Sequence, residues 1–194
     1  RTQRARVEAM AEEQVTVEGE TRPLPQPFFV IATQNRIDQS GTYPLPESQL
    51  DRFLMRIKLG YPDNQAERLL LAGEDPRRSL EILKPVMDEE ILLKLQQRVH
   101  QIHISDALLD YVQALLNFSR ESPHYLTGLS PRAGLALIHS ARAWAMIHHR
   151  NHVLPEDIQE CLPYVAAHRL QPSNEMRSNN QNELMAPLEE VAIP

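Results

Sequence analysis

The feature that most constrains the fold is a series of apolar patterns with helical spacing, which fills the chain after Pro62. Asp63, Asp88 and Ser130 each precede such a pattern, where a short oxygen-bearing side chain can accept a hydrogen bond from the free N–H groups of a helix start. Pro131, at the first helical position, strengthens the start after Ser130. The patterns predict helices over residues 64–73, 89–101, 106–121, 131–147 and 155–167.

The first 62 residues have a different pattern, which indicates an α/β structure. Residues 2–13 favour a helix, and "QVTVEGETRPLP" is typical of a β-hairpin. Phe28–Thr33 is a continuous apolar run, which predicts a strand covered on both faces. A loop and a short helix around Glu47–Phe53 follow, and then "LMRIKLGYP" predicts a second short strand.

These patterns divide the chain into three parts. We predict an α/β part over residues 1–62, an all-α bundle over residues 63–170, and a tail over residues 171–194. The polar first half of the tail, residues 171–182, favours a flexible linker. Its last residues predict a short helix broken at Pro187.

Composition restricts the possible functions. Of the 194 residues, 42% are hydrophobic and 24% are charged, which is ordinary for a globular protein. No apolar run approaches the roughly 20 residues of a membrane span. Cys161 is the only cysteine, and the sequence does not open on a basic-then-apolar leader pattern, so we expect a reducing, cytoplasmic location. The net charge of −6 gives no general reason to expect nucleic-acid binding. The chain starts within a helical pattern, and we therefore expect a fragment.

Three polar residues stand where a phosphate site would need them. Asn35 follows the apolar run, and parallel strands collect ligands at their carboxyl ends. Arg132 lies in the first turn of a helix, where its charge adds to the positive end of the helix dipole. Arg52 lies on the short helix just after the loop and could reach a phosphate held by a neighbouring subunit. Together they suggest a nucleotide site.

Four segments follow one another in the chain: "VEAMAEEQVTVEGE", "LPQPFFVIATQN", "SGTYPLPESQLDRFLMRIKLGYP" and "LSPRA". With these segments the sequence resembles the MoxR-type AAA+ ATPases, which are relatives of the magnesium-chelatase ATPase subunit. The resemblance implies a partial AAA+ P-loop core followed by a helical lid. It also implies that Asn35 is the sensor-1 residue, Arg52 the arginine finger and Arg132 the sensor-2 arginine.

The resemblance implies ATP and Mg²⁺ as cofactors, a homo-oligomer that is commonly a hexamer, and a von Willebrand factor A-type partner protein. Asn35 and Arg132 would act on the nucleotide of their own subunit, and Arg52 on that of the adjacent one. The activity would drive chaperone-like remodelling of a partner, or metal insertion into it. No G-x-x-x-x-G-K-[ST] sequence occurs in the 194 residues, so we expect this chain alone to be inactive.

Other interpretations stay open from the residues alone. Asn35 could be a turn residue, Arg52 could form a surface ion pair with Asp51, and Ser-Pro-Arg begins many ordinary helices. His148 and His152 have a helical spacing that suits a metal, but they lack further ligands, and we expect no metal site. The whole chain could instead be a non-enzymatic helical interaction module, a DNA-binding transcriptional regulator or a truncated pseudo-ATPase.

Two residues depart from the family pattern. Arg36 follows Asn35 where the family usually has proline, and Arg6 replaces an apolar residue. We expect both departures to affect local packing rather than the phosphate-facing residues.

Overall fold

A computed structural model describes residues 12–17, 19–34, 46–73, 80, 82–173 and 180–193. Asn35, Arg36 and Arg6 lie outside the described residues, as do residues 2–11 of the helix expected at the start. The described elements, in chain order, are β1 (Gln14–Val17), β2 (Glu20–Pro23), α1 (Glu47–Leu50), α2 (Asn64–Leu71), α3 (Glu89–Val99), α4 (Asp106–Glu121), β3 (Tyr125–Thr127), α5 (Pro131–Ile147), α6 (Pro155–Ala166), β4 (Gln171–Pro172) and α7 (Gln181–Glu189).

The five helices predicted after Pro62 are confirmed as α2 to α6, with ends that differ by two residues at most. Their starts are capped as expected: Asp63 accepts a hydrogen bond from the backbone N–H of Ala66, and Asp88 accepts one from that of Ile91. The start of α6 has no capping side chain before it. Instead, Asp157 in the first turn of α6 accepts a hydrogen bond through its carboxylate from the backbone N–H of Leu154, which precedes the helix.

The hydrophobic core lies in the helical half of the chain. Helices α5 and α6 pack closely against each other, and α4, α7 and the small antiparallel β3–β4 sheet complete the core around them. Every member of the core cluster lies between Ile102 and Leu188, and Leu115, Ala141 and Ile158 are fully buried. Among the described residues, none of the helices is both long enough and apolar enough to cross a membrane.

The hairpin of β1 and β2 is confirmed, but the two strands predicted for the α/β core are wrong. Residues 28–34 and 55–62 form no strand in the described structure. Phe29 and Ile31 are 68% and 77% exposed, so this run is not covered on both faces. A strand is stabilised by hydrogen bonds to a neighbouring strand, and none of the described segments pairs with either of these two. The expected partial P-loop core is therefore not seen in the described residues.

The tail also differs from the prediction. Residues 171–172 of the expected linker form β4, which pairs with β3, and residues 174–179 lie outside the described residues. Helix α7 continues through Pro187 instead of breaking there. Proline removes only one backbone hydrogen bond, and the burial of Met185 and Leu188 in the core holds the helix on both sides of it.

Candidate functional site

The segment that carries Arg52 is docked on the C-terminal end of α6. After α1 the chain turns through Asp51–Leu54, and the Arg169 guanidinium contacts three of its carbonyl oxygens. The Nη2 atom of Arg169 donates to the carbonyl oxygens of Asp51 (3.1 Å) and Phe53 (2.5 Å), and its Nη1 atom donates to that of Leu54 (3.3 Å).

Two further hydrogen bonds hold the segment that carries Arg52. The Nε2 atom of His168 lies 3.3 Å from the Phe53 oxygen, and the Arg56 N–H donates to the carbonyl of Tyr164 (2.9 Å).

Asp51 connects this segment to the start of α5. Its carboxylate accepts hydrogen bonds from the Ser130 hydroxyl at 2.9 and 3.0 Å, from Nε of Arg169 at 2.9 Å and from Nη1 of Arg132 at 3.3 Å. Burial alone would raise the pKa of Asp51, but the hydrogen bonds from Ser130 and Arg169 and the charges of both arginines outweigh burial and lower it. Asp51 is therefore ionised at neutral pH and compensates part of the surrounding positive charge.

The start of α5 is arranged as the sequence predicts. The Ser130 hydroxyl accepts the N–H of Ala133 at 3.2 Å, so this side chain caps the helix while it also donates to Asp51. Arg132, in the first turn, is about half exposed, with 51% of its side-chain surface accessible. Its guanidinium can therefore exchange the 3.3 Å contact with Asp51 for a stronger anionic partner.

A pocket of about 420 Å³ opens between the docked segment and α5. It is lined by four arginines and two histidines together with apolar side chains, namely Arg52, Leu54, His100, Arg132, Leu135, Ala136, Ile138, His139, Arg142 and Arg169. The rings of His100 and His139 are 5.2 Å apart, and burial, His100 and Arg142 lower the pKa of His139. Among the described residues no carboxylate lines the pocket, although Asp51 lies just behind it.

This lining fits phosphate groups and does not fit a magnesium ion. Arginine guanidinium groups bind phosphate oxygens, whereas magnesium takes oxygen ligands and is usually held by one or two carboxylates. Within the part of the chain that the structure describes, no group of three or more His, Cys, Asp or Glu side chains could hold a metal. The pocket therefore contributes positive charge, and magnesium ligands would have to come from elsewhere.

The structure brings two of the three predicted site residues together. Arg52 and Arg132, 80 positions apart in the sequence, line the same pocket, while Asn35 lies outside the described residues. The alternative ion pair between Arg52 and Asp51 is not formed, because Asp51 is occupied by Ser130, Arg132 and Arg169.

Sequence reasoning missed Arg169, whose side chain is only 3% exposed. A usable signal was present, because Arg169 lies in the run "VAAHRL", where apolar residues flank His168 and Arg169, and a buried arginine needs partners. The sequence could not name those partners, which lie 115 to 118 residues earlier.

Comparison with known proteins identifies this architecture. The family described as "ATPase family associated with various cellular activities (AAA)" matches residues 1–55, and the family described as "AAA lid domain" matches residues 117–188. Two relatives are named for MoxR: "Chaperone MoxR1" of Mycobacterium tuberculosis, 38% identical over 88% of this chain and 47% of its own length, and "Protein MoxR" of Methylorubrum extorquens, 31% identical over 87% and 55%. These matches support the assignment of the chain to the MoxR-type AAA+ ATPases.

Other similarities agree with this assignment. "Uncharacterized protein YeaC" of Bacillus subtilis is 42% identical over 88% of this chain and 53% of its own length. A crystal structure described as a putative ATPase from Cytophaga hutchinsonii has a TM-score of 0.85 and 33% identity, covering 99% of this chain and 62% of that one. The AAA+ fold with a helical lid is thus confirmed. The chain spans about half the length of the curated relatives it matches.

Proposed function

We propose that the complete protein binds and hydrolyses ATP with Mg²⁺, and that Arg52 and Arg132 act on its phosphates. The observation that carries the proposal is their position in one pocket, whose charged lining residues are all basic among those described. Phosphoryl transfer needs little covalent chemistry from a protein and depends on positioning and on stabilisation of negative charge. A cluster of arginines fits that requirement.

The two arginines have separate roles in this proposal. Arg132 lies at the positive end of α5, and its exposed guanidinium would exchange Asp51 for phosphate oxygens and so contribute to nucleotide binding. Arg52 has no ion-pair partner among the described residues and would act as the arginine finger, stabilising charge that develops during transfer. Because they share one pocket, we propose that both act on the same nucleotide, rather than on those of two subunits.

The remaining parts of the site would come from outside the described residues. Asn35, as the sensor-1 residue, would orient the attacking water and hydrogen-bond the terminal phosphate without adding charge. When bound, Mg²⁺ would neutralise charge on the phosphates. The 194 residues contain no G-x-x-x-x-G-K-[ST] loop to hold them, so this chain alone would be inactive.

At the level of the whole protein, we propose a cytoplasmic homo-oligomer, with six subunits as in many family members. Its hydrolysis would drive chaperone-like remodelling of a von Willebrand factor A-type partner, or metal insertion into it. Support comes from family membership and from the relative named "Chaperone MoxR1". The domain division at residues 62 and 170 is part of the same proposal.

Substitution of each arginine in the complete protein tests this function. Arg52→Ala is expected to lower kcat by roughly 10³-fold or more while the Kd for ATP changes little, because a finger acts on the transition state. Arg132→Ala, unlike Arg52→Ala, is expected to raise the Kd for ATP in addition to lowering hydrolysis. The measurements are steady-state hydrolysis and calorimetric binding of a non-hydrolysable ATP analogue.

Arg98→Ala is the matched control, because Arg98 is exposed on α3 and does not line the pocket. It should leave both hydrolysis and binding unchanged. Equal losses of binding and hydrolysis in Arg52→Ala would contradict the finger role, and a wild-type protein without ATP hydrolysis would contradict the function itself.

A further inference from the structure

The Arg169 guanidinium is almost completely buried and fully occupied. Besides its contacts to the carboxylate and carbonyl of Asp51 and to the carbonyls of Phe53 and Leu54, it donates to the Val165 carbonyl of its own helix end. Its side chain therefore fixes the backbone immediately before and after Arg52. No other described side chain contacts this turn at so many points.

This arrangement depends on the shape of the guanidinium group. Its donors lie in a fixed plane and point in different directions, so one side chain can reach carbonyl oxygens spread over four successive residues, 51–54. A lysine carries the same charge, but its three donors share one nitrogen atom. Lysine at position 169 would keep the ion pair with Asp51 and lose most of the carbonyl contacts.

Arg169 also determines how strongly the Asp51 carboxylate pairs with Arg132. The contact from Arg169 to the Asp51 carboxylate is 2.9 Å and nearly buried, whereas that from Arg132 is 3.3 Å and half exposed. Charge-assisted bonds are the stronger when they are short and desolvated. If the charge of Arg169 were removed, Asp51 would pair with Arg132 and compete with a phosphate for it.

We propose that Arg169 is a positioning residue, which rests on the proposed ATP hydrolysis. It holds Arg52 in place by clamping the backbone of residues 51–54, and it keeps Arg132 available by neutralising Asp51. It does not touch the nucleotide itself. The lid thereby sets the geometry of an arginine that belongs, in sequence, to the other half of the chain.

Two substitutions in the complete protein separate the two roles. Arg169→Lys keeps the charge and loses the clamp, so kcat should fall about tenfold to a hundredfold with little change in KM for ATP. Arg169→Gln loses both, so KM should also rise several-fold. Backbone hydrogen exchange gives a second readout without ATP. The amides of Arg52 and Phe53 donate to carbonyls of α1, and that of Arg56 donates to the Tyr164 carbonyl; all three should exchange about tenfold faster or more in both variants.

Arg150→Lys is the matched control for a general loss of stability. Arg150 makes a bidentate pair with Asp157, at 2.6 and 2.5 Å, at the opposite end of α6 and outside the pocket lining. It should speed exchange only near residues 150–157 and leave kcat and KM unchanged. If folded Arg150→Lys lost as much kcat as Arg169→Lys, the positioning role would be overturned, because any weakening of the lid would then be enough to lower kcat.

The outcomes are distinguishable. Wild-type kcat or unchanged exchange of Arg52, Phe53 and Arg56 in Arg169→Lys would overturn the clamp. Equal KM values for Arg169→Lys and Arg169→Gln would overturn the effect on Arg132. A wild-type protein that does not hydrolyse ATP would contradict the proposed function and the catalytic part of this inference, while hydrogen exchange would still decide whether the clamp exists.

Discussion

At the residue scale, the unusual feature of this lid is a histidine and an arginine buried side by side at the end of α6. His168 and Arg169 are each 9% exposed, and both contact the Asp51–Leu54 turn. Burying polar groups is unfavourable unless they are hydrogen-bonded, so their cost is offset only while the turn stays docked. The docked position of Arg52 is thus linked to the stability of the lid.

His168 makes that stability dependent on pH. Burial, together with the charge of Arg169, lowers the pKa of His168 from 6.5 to about 4. The unfolded chain therefore binds a proton between these pH values that the folded chain does not, and the free energy of unfolding must fall as the pH falls from 6.5 to 4. The loss due to this residue is on the order of 3 kcal/mol.

Chemical denaturation of the wild type and of His168→Gln between pH 7 and pH 4 measures this effect. Glutamine keeps a donor for the Phe53 carbonyl but does not titrate. The free energy of unfolding of His168→Gln should therefore fall less steeply than that of the wild type as the pH is lowered from 7 to 4. Asp51 and Asp157 have lowered pKa values, so their contributions are lost only at more acidic pH. Parallel slopes for the two proteins would contradict the assignment.

At the element scale, the close approach of α4 and α5 depends on the connection that contains β3. A Cβ atom at Gly128 would lie 2.7 Å from the Cα of Arg120, which is backbone of α4. The same connection is fixed by Arg120 Nε, which donates to the Leu129 carbonyl at 2.9 Å, and by the Leu129 N–H, which donates to the buried Ser119 hydroxyl at 2.9 Å. These contacts set where α5, and with it Arg132, begins.

Gly128→Ala should therefore destabilise the lid by about 1–3 kcal/mol, the usual cost of overpacking. The free energy of unfolding from urea denaturation measures the change. Gly60→Ala is the control, because a Cβ atom at Gly60 would have no described atom within 4 Å, and it should stay within about 0.5 kcal/mol of the wild type. Equal stabilities of the two variants would show that α4 can move away from the connection.

Elements were predictable from sequence where the cause is local. Asp63 and Asp88 cap helices through atoms three residues away, so the starts of α2 and α3 could be predicted directly. Strands depend on partners that can lie anywhere in a chain, and the apolar run of Phe28–Thr33 could not reveal that no described segment pairs with it. The sequence pointed to Arg52 and Arg132 but not to Arg169 for the same reason, since Asp51 meets Arg169 across 118 positions.

At the scale of the whole molecule, a well-packed helical core is preceded along the chain by a segment with many exposed apolar side chains. The core cluster lies entirely between Ile102 and Leu188, whereas Leu59, Tyr61 and Val86 are 88%, 99% and 96% exposed. Such exposure favours burial against other protein surface. It agrees with a chain that spans about half the length of its curated relatives.

We propose that this chain supplies arginines to a phosphate site whose cradle lies outside its 194 residues. The most direct test compares steady-state hydrolysis of ATP with Mg²⁺ by the complete protein and by the 194-residue chain, each first shown to unfold cooperatively. We expect turnover by the complete protein and none above background by the chain. Turnover by the purified chain alone, or its absence from the complete protein, would contradict this division of the phosphate site.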